Sequence, residues 1–226
     1  LLFYDRTDAN QTDSTAPQPG GNMRAIKDLP PAFDRFWEIG GVLGFATFED
    51  SDGSEQEFLA SISAIVPDID GAALSALGFR RIDDRTFLGD WYDPENNALV
   101  RRGVFRSKDG LELVDPKLRD LCETEIVSGG WYIPDTGEGG QFAYAFSSPP
   151  YPLSARPSEI EQLFLAVKNF ILPPNCTHEI YDWSFPRLPE TSTYFDAGVE
   201  WWGVFLFTIY IPGLRRLTAI AGSASD

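Results

Sequence analysis

Apolar positions change period several times along the chain, and each change predicts an element. Between 154 and 172, Ile160, Leu163, Phe164, Val167, Phe170 and Ile171 recur three and four apart, a broad stripe that predicts an amphipathic helix. Ser154 or Pro157-Ser158 opens it, acids occupy its first turn where the helix dipole favours them, and Pro173-Pro174 stops it. A shorter helix is predicted at 29–41, where prolines start the first turn, Phe33, Phe36 and Trp37 share a face, and Gly40-Gly41 ends the run. Asp68 or Asp70 caps a third at 68–79, and 114–125 reads as a brief fourth.

Period-two runs predict strands. "VLGFATFED" (42–50) is one, and "EFLASISAIV" (57–66) a second, with Phe58, Ala60, Ile62, Ala64 and Val66 on one face; the turn "SDGS" makes the two a hairpin. "RTFLGDWYD" and "ALVRRGVF" flank "PENN" as another hairpin. Phe142, Tyr144 and Phe146 alternate with small residues, which reads as a strand with one aromatic face. Three strands close the chain, at 178–184, 200–210 and 214–223, the last two joined by the short turn "IPGL" and so antiparallel. From Val204 to Ile211 the run is apolar at both alternating positions, the signature of a central strand covered on both sides, and Gly203 marks a bulge or close backbone approach at its start.

Helices and strands do not alternate regularly, so the expected class is α+β: a largely antiparallel sheet, with a mixed sheet as the variant, and helices packed on one face. Residues 7–22, small, polar and rich in Pro and Gly, make 1–22 a flexible arm, directly before Met23, the only methionine and a candidate natural start. Residues 23–226 are read as one domain, with a subdomain break near 125 as the alternative.

Charge narrows the partners. Eighteen Lys and Arg against 34 Asp and Glu leave −16, a field that repels nucleic-acid backbones and anionic membranes and attracts basic proteins. Two cysteines, Cys122 and Cys176, are no disulfide framework. "LLFY" is too short for the apolar core of a secretory signal, and no stretch approaches the ~20 apolar residues of a membrane-spanning helix. These features predict a soluble bacterial-type protein of the cytoplasm.

Motifs for chemistry are sparse. The single histidine, His178, stands two residues from Cys176, too few ligands for zinc. No GxSxG elbow occurs, and "GEGGQ" (137–141) lacks the Lys-Ser/Thr of a phosphate loop. No metal or cofactor is therefore expected. Trp and Tyr beside glycine, proline and acids are more informative, because aromatic anchors in a polar rim mark binding surfaces. They supply the candidate partner-binding residues: Trp131, Tyr132 and Glu138, Tyr151, Asp182 and Trp183, and Asp196, Glu200 and Trp201. Strand alternation sends Trp201 and Trp202 in opposite directions, so at most one faces a given surface. Asp182 and Glu200, each beside a tryptophan, also raise the alternative of a hydrolase with paired carboxylates on a glycan-like substrate, although 34 acids in 226 residues supply such neighbours by chance.

"YDWS" (181–184), "YFDAGVEWWGVFLFTIY" (194–210), "AGSASD" (221–226) and "FAYAFSSPPYPL" (142–153) resemble a bacterial protein family without an established activity, over less than half the chain. "LPPAFDRFWEIGG" (29–41) is similar to the opening of SUKH-type immunity domains, though the residues from Val42 onward do not extend the likeness. The resemblance implies a toxin-immunity role. With the charge, it makes the expected function that of a non-enzymatic acidic protein that binds and occludes a basic toxin domain.

Overall fold

A computed structural model describes residues 23–122, 124–130, 141–200 and 202–224. In chain order the elements are β1 (Arg24–Ala25), α1 (Pro31–Glu38), β2 (Gly44–Glu49), α2 (Glu55–Ser63), α3 (Gly71–Leu77), β3 (Arg80–Ile82) and α4 (Asp84–Leu88). Then come β4 (Tyr92–Asp93), β5 (Ala98–Leu99), β6 (Val104–Ser107), β7 (Glu112–Val114), β8 (Ile126–Gly129), α5 (Phe142–Ser147) and α6 (Pro157–Ile171). β9 (Glu179–Asp182), β10 (Val204–Ile211) and β11 (Arg216–Ser223) finish the chain.

The apolar run at 204–211 becomes β10, an inner strand of a six-stranded sheet of order β1-β2-β11-β10-β9-β3. Every pairing in it is antiparallel. The fold is α+β with antiparallel sheets, as the pattern predicts. Strands from before and after residue 125 interleave in this sheet. Residues 92–130 form an excursion: the hairpin β4-β5 around "PENN", and a three-stranded sheet β7-β6-β8.

Alternation along β10 builds two cores. Phe205, Phe207 and Ile209 join Ile220 on one face, under Phe33 and Phe36 of α1, Phe142 and Phe146 of α5, and Phe164 and Val167 of α6. Leu206 joins Leu217, Ala219 and Ala221 on the other face, under Phe58 and Ile62 of α2 and Leu74 of α3. The helices thus cover both faces, not one, because β10 and β11 carry buried side chains at both alternating positions and each face needs its own cover.

Three predicted strands are helical. Residues 55–63 form α2, with Glu57, Phe58, Ser61 and Ile62 buried on one helical face; Ala64, on the apolar face of the expected strand, is exposed. Glu57 decides this locally: its carboxylate accepts from Ser51 Oγ (2.6 Å) and Asp52 N (2.7 Å), satisfying donors just ahead of the helix. Residues 142–147 form α5, whose six side chains are all buried. Phe142 and Phe146 lie one turn apart on one side and stack on Phe87 (4.9 Å) and Phe36 (4.0 Å), while Tyr144 meets Trp91 at 5.0 Å. A short helix enclosed all round shows aromatics at every second position as readily as a strand does. Residues 84–88 form α4, capped by Asp83, whose Oδ1 accepts from Thr86 N at 2.7 Å.

The other predicted helices stand within a few residues of their expected bounds; Asp70 caps α3, and 118–122 is a 3-10 turn. Gly203 has φ +119°, and its N–H donates to Gly198 O at 2.7 Å. A Cβ on Gly198 would stand 2.2 Å from the carbonyl oxygen of Gly203, the close approach expected at the mouth of β10. Among the described residues no helix is long and apolar enough to cross a membrane.

Candidate functional site

The candidate residues separate sharply. Trp131, Tyr132, Glu138 and Trp201 lie outside the described residues, as does the side chain of Glu200, whose backbone ends a 3-10 turn at Ala197–Glu200. Asp196 is exposed after the 3-10 turn Thr193–Phe195.

Asp182 and Trp183 are interior and form no contact surface, which corrects the expectation for this pair. Asp182, at 0% exposure, stands opposite Arg80 in the β3–β9 register; its Oδ2 accepts from Arg80 at 2.8 Å and its Oδ1 from Ser184 N at 2.8 Å. Both carboxylate oxygens are therefore occupied by the fold. Trp183 turns to the other face, where its indole N–H donates to Thr208 Oγ1 at 3.0 Å. Paired-carboxylate hydrolysis loses one of its two acids by this placement, because a glycosidase acid must reach substrate.

Tyr151 is the candidate that borders a concavity. It is 53% exposed in the loop "SSPPYPL" that leaves α5, and with that loop it edges a cleft of about 390 Å³. The 3-10 turn at 118–122 contributes Leu118 and Leu121, α6 contributes Ile160, and the segment after β5 contributes Arg101. The loop is held from beneath: buried Trp202 donates its indole N–H to Ser148 O at 2.9 Å. One of the two adjacent tryptophans is thus core, and its polar edge fixes the cleft wall. Four prolines between 149 and 157 restrict the backbone around Tyr151, so the rim is preformed.

Arg101 is the polar residue that sequence reasoning missed. Its guanidinium lies 5.4 Å over the ring of Trp91, which packs edge-on to Tyr144. Burial pulls its pKa below the ordinary arginine value, with nearby Tyr144 opposing, and burial likewise raises Tyr144. The available signal was weak: "VRRGVF" places two arginines inside an otherwise strand-like run. Next to the cleft, Glu161 on α6 is buried and pairs with Arg119 at 2.5 Å; burial raises its pKa, and Arg119 opposes the rise.

The Cys and His positions serve structure. His178 Nε2 meets Asp84 Oδ1 at 2.6 Å and its Nδ1 faces Cys176 O at 3.1 Å, tying the entry of β9 to α4. Cys122 Sγ accepts from Ser158 N at the start of α6. Cys122 and Cys176 are both free thiols. Among the described residues no three metal-ligating side chains gather.

Comparison with protein-family models, with curated proteins and with solved structures finds no match.

Proposed function

We propose that this chain is a non-enzymatic, acidic interaction protein of the cytoplasm, of the immunity type, that binds a basic toxin domain and covers its working face. The observation that supports it most is how the positive charges are spent. Arg24, Arg35, Arg80, Arg81, Arg102, Lys108, Arg119 and Arg187 each pair with a carboxylate of the chain itself. Asp28, Asp90, Asp109 and Asp196 are exposed and have no salt bridge among the described residues. The excess of 34 acids over 18 bases gives the chain a negative field that steers a basic partner. Tyr151, rigid on its proline loop, supplies an aromatic anchor beside an apolar cleft.

The test is the association rate with the candidate toxin, a product encoded beside this gene, across salt. Between about 20 and 500 mM salt the on-rate should fall by about tenfold or more while dissociation changes little. A rate flat across that range would sink the proposal. Tyr151→Ala should act instead on dissociation, speeding it by about 30-fold if the anchor is worth ~2 kcal/mol.

A further inference from the structure

Arg101 stands in an unusual setting for a cation of this molecule. Arg85, Arg106 and Arg156 also lack a carboxylate partner, but they are exposed and water solvates them. Arg101 is largely withdrawn from water, yet no hydrogen bond or ion pair to its guanidinium exists among the described residues. Its backbone is pinned, with its N–H donating to Pro116 O at 2.8 Å, and its side chain rests on Trp91. A ring face offsets part of the cost of withdrawing an ion from water, and less than a carboxylate does. Among the described residues no acid pairs with this guanidinium, which lines a cleft whose other walls are mostly apolar.

We infer that the cleft between the Tyr151 loop and α6 binds a small monocarboxylate with an apolar body, its carboxylate on Arg101 and its body between Leu118, Leu121, Ile160 and Tyr151. Size agrees: at ~30 Å³ per water-sized group, 390 Å³ accommodates on the order of ten non-hydrogen atoms. Such a volume lies at the low end of small-molecule pockets, which pair apolar walls with a few placed polar groups. Arginine reads a planar carboxylate through two parallel N–H donors. A phosphate fits less well. The net charge of −16 opposes a dianion, and the first-turn amides of α6 are taken: Ser158 N by Cys122 Sγ, Glu159 N and Ile160 N by Arg156 O. Such binding is a property of the cleft alone and does not depend on a toxin partner.

The same chemistry could come from a free acid or from the carboxyl end of a peptide, and a titration of the full chain separates them. The probes are 3-phenylpropanoate, its uncharged amide, and acetyl-Phe-Leu with a free or an amidated terminus, followed by NMR at Tyr151, Leu118 and Leu121. The free acid should saturate these signals and the amide should bind about tenfold or more weakly, since the charge-assisted pair is absent. Arg101→Gln should abolish that preference, Arg101→Lys should keep part of it, and Arg106→Gln, on an exposed position of β6, should leave it intact. The free dipeptide binding more tightly than 3-phenylpropanoate would identify a peptide terminus as the source; the reverse order would identify a free acid. Equal binding of acid and amide, or no saturable shift with either acid up to about 10 mM, overturns the inference. Should Arg101→Gln fail to fold, the comparison of acid and amide on the unaltered chain decides by itself.

Discussion

Asp182 shows how little a residue type says before its surroundings are known. An aspartate beside a tryptophan resembles a binding or catalytic pair, but here the carboxylate closes the cross-strand contact between β9 and β3. Asp182→Ala removes the acceptor of both Arg80 and the Ser184 amide, and since Arg80 is itself nearly half exposed, the loss should be about 2–3 kcal/mol in urea unfolding. Trp183→Phe removes the donor to Thr208 Oγ1 and leaves a cavity where the larger indole stood, for about 1–3 kcal/mol. Gly203→Ala puts a side chain at φ +119° and should cost about 1–3 kcal/mol. Glu161 carries a pH signature. Burial raises its folded pKa above its unfolded value, so the native state holds the proton more tightly, and this residue's contribution falls as pH rises from the ordinary glutamate range through the raised value. The stability difference between the parent chain and Glu161→Gln, measured from pH 4 to 8, should therefore move against the parent as pH increases; a difference that is constant, or that moves the other way, contradicts this assignment.

Elements differ in how far the pattern alone specifies them. The long stripe of α6 and the capped α3 offer a periodicity and a terminus that agree, and both are helices. The segments 57–66 and 142–147 are short, and in them apolar residues at every second position fit a strand and an enclosed helix equally. For the first, the deciding signal was present: Ser54 and Glu57 have the three-residue spacing of a helix start. Here Glu57 reaches past Ser54 to Ser51 and Asp52, so the carboxylate organises the whole turn between β2 and α2. Glu57→Ala should leave these donors without an acceptor, cost about 2–3 kcal/mol, and raise amide exchange at 51–58 above that of α6. For α5 no local signal exists; stacking of Phe142 and Phe146 on rings from α4 and α1 fixes it. The candidate site divides the same way. Tyr151 was legible from its proline-flanked loop, whereas Arg101 became visible only when β5, α6 and the 118–122 turn enclosed it.

At the scale of the whole molecule, charge is the dominant quantity. A chain of net charge −16 repels itself when compact. Raising salt from about 10 to 150 mM shortens the screening length to ~8 Å and should raise the thermal midpoint before any partner is added. A midpoint that fell with salt would mean that the internal ion pairs outweigh the repulsion.

Sequence by itself determined the α+β class, the antiparallel closing strands, the two-sided burial of 204–211, the longest helix and the sign of the field. Each depends on composition or on a period repeated over enough residues to exclude the alternatives. Tertiary structure alone decided that helices cover both faces, that 142–147 is helical, that Asp182 and Trp183 are interior, and that Tyr151 and Arg101 share a cleft. The physical reason is common to all four. Burial and partner choice are set by residues tens to over a hundred positions away, such as Arg80 for Asp182 and Trp202 for the Tyr151 loop, and no local window contains them.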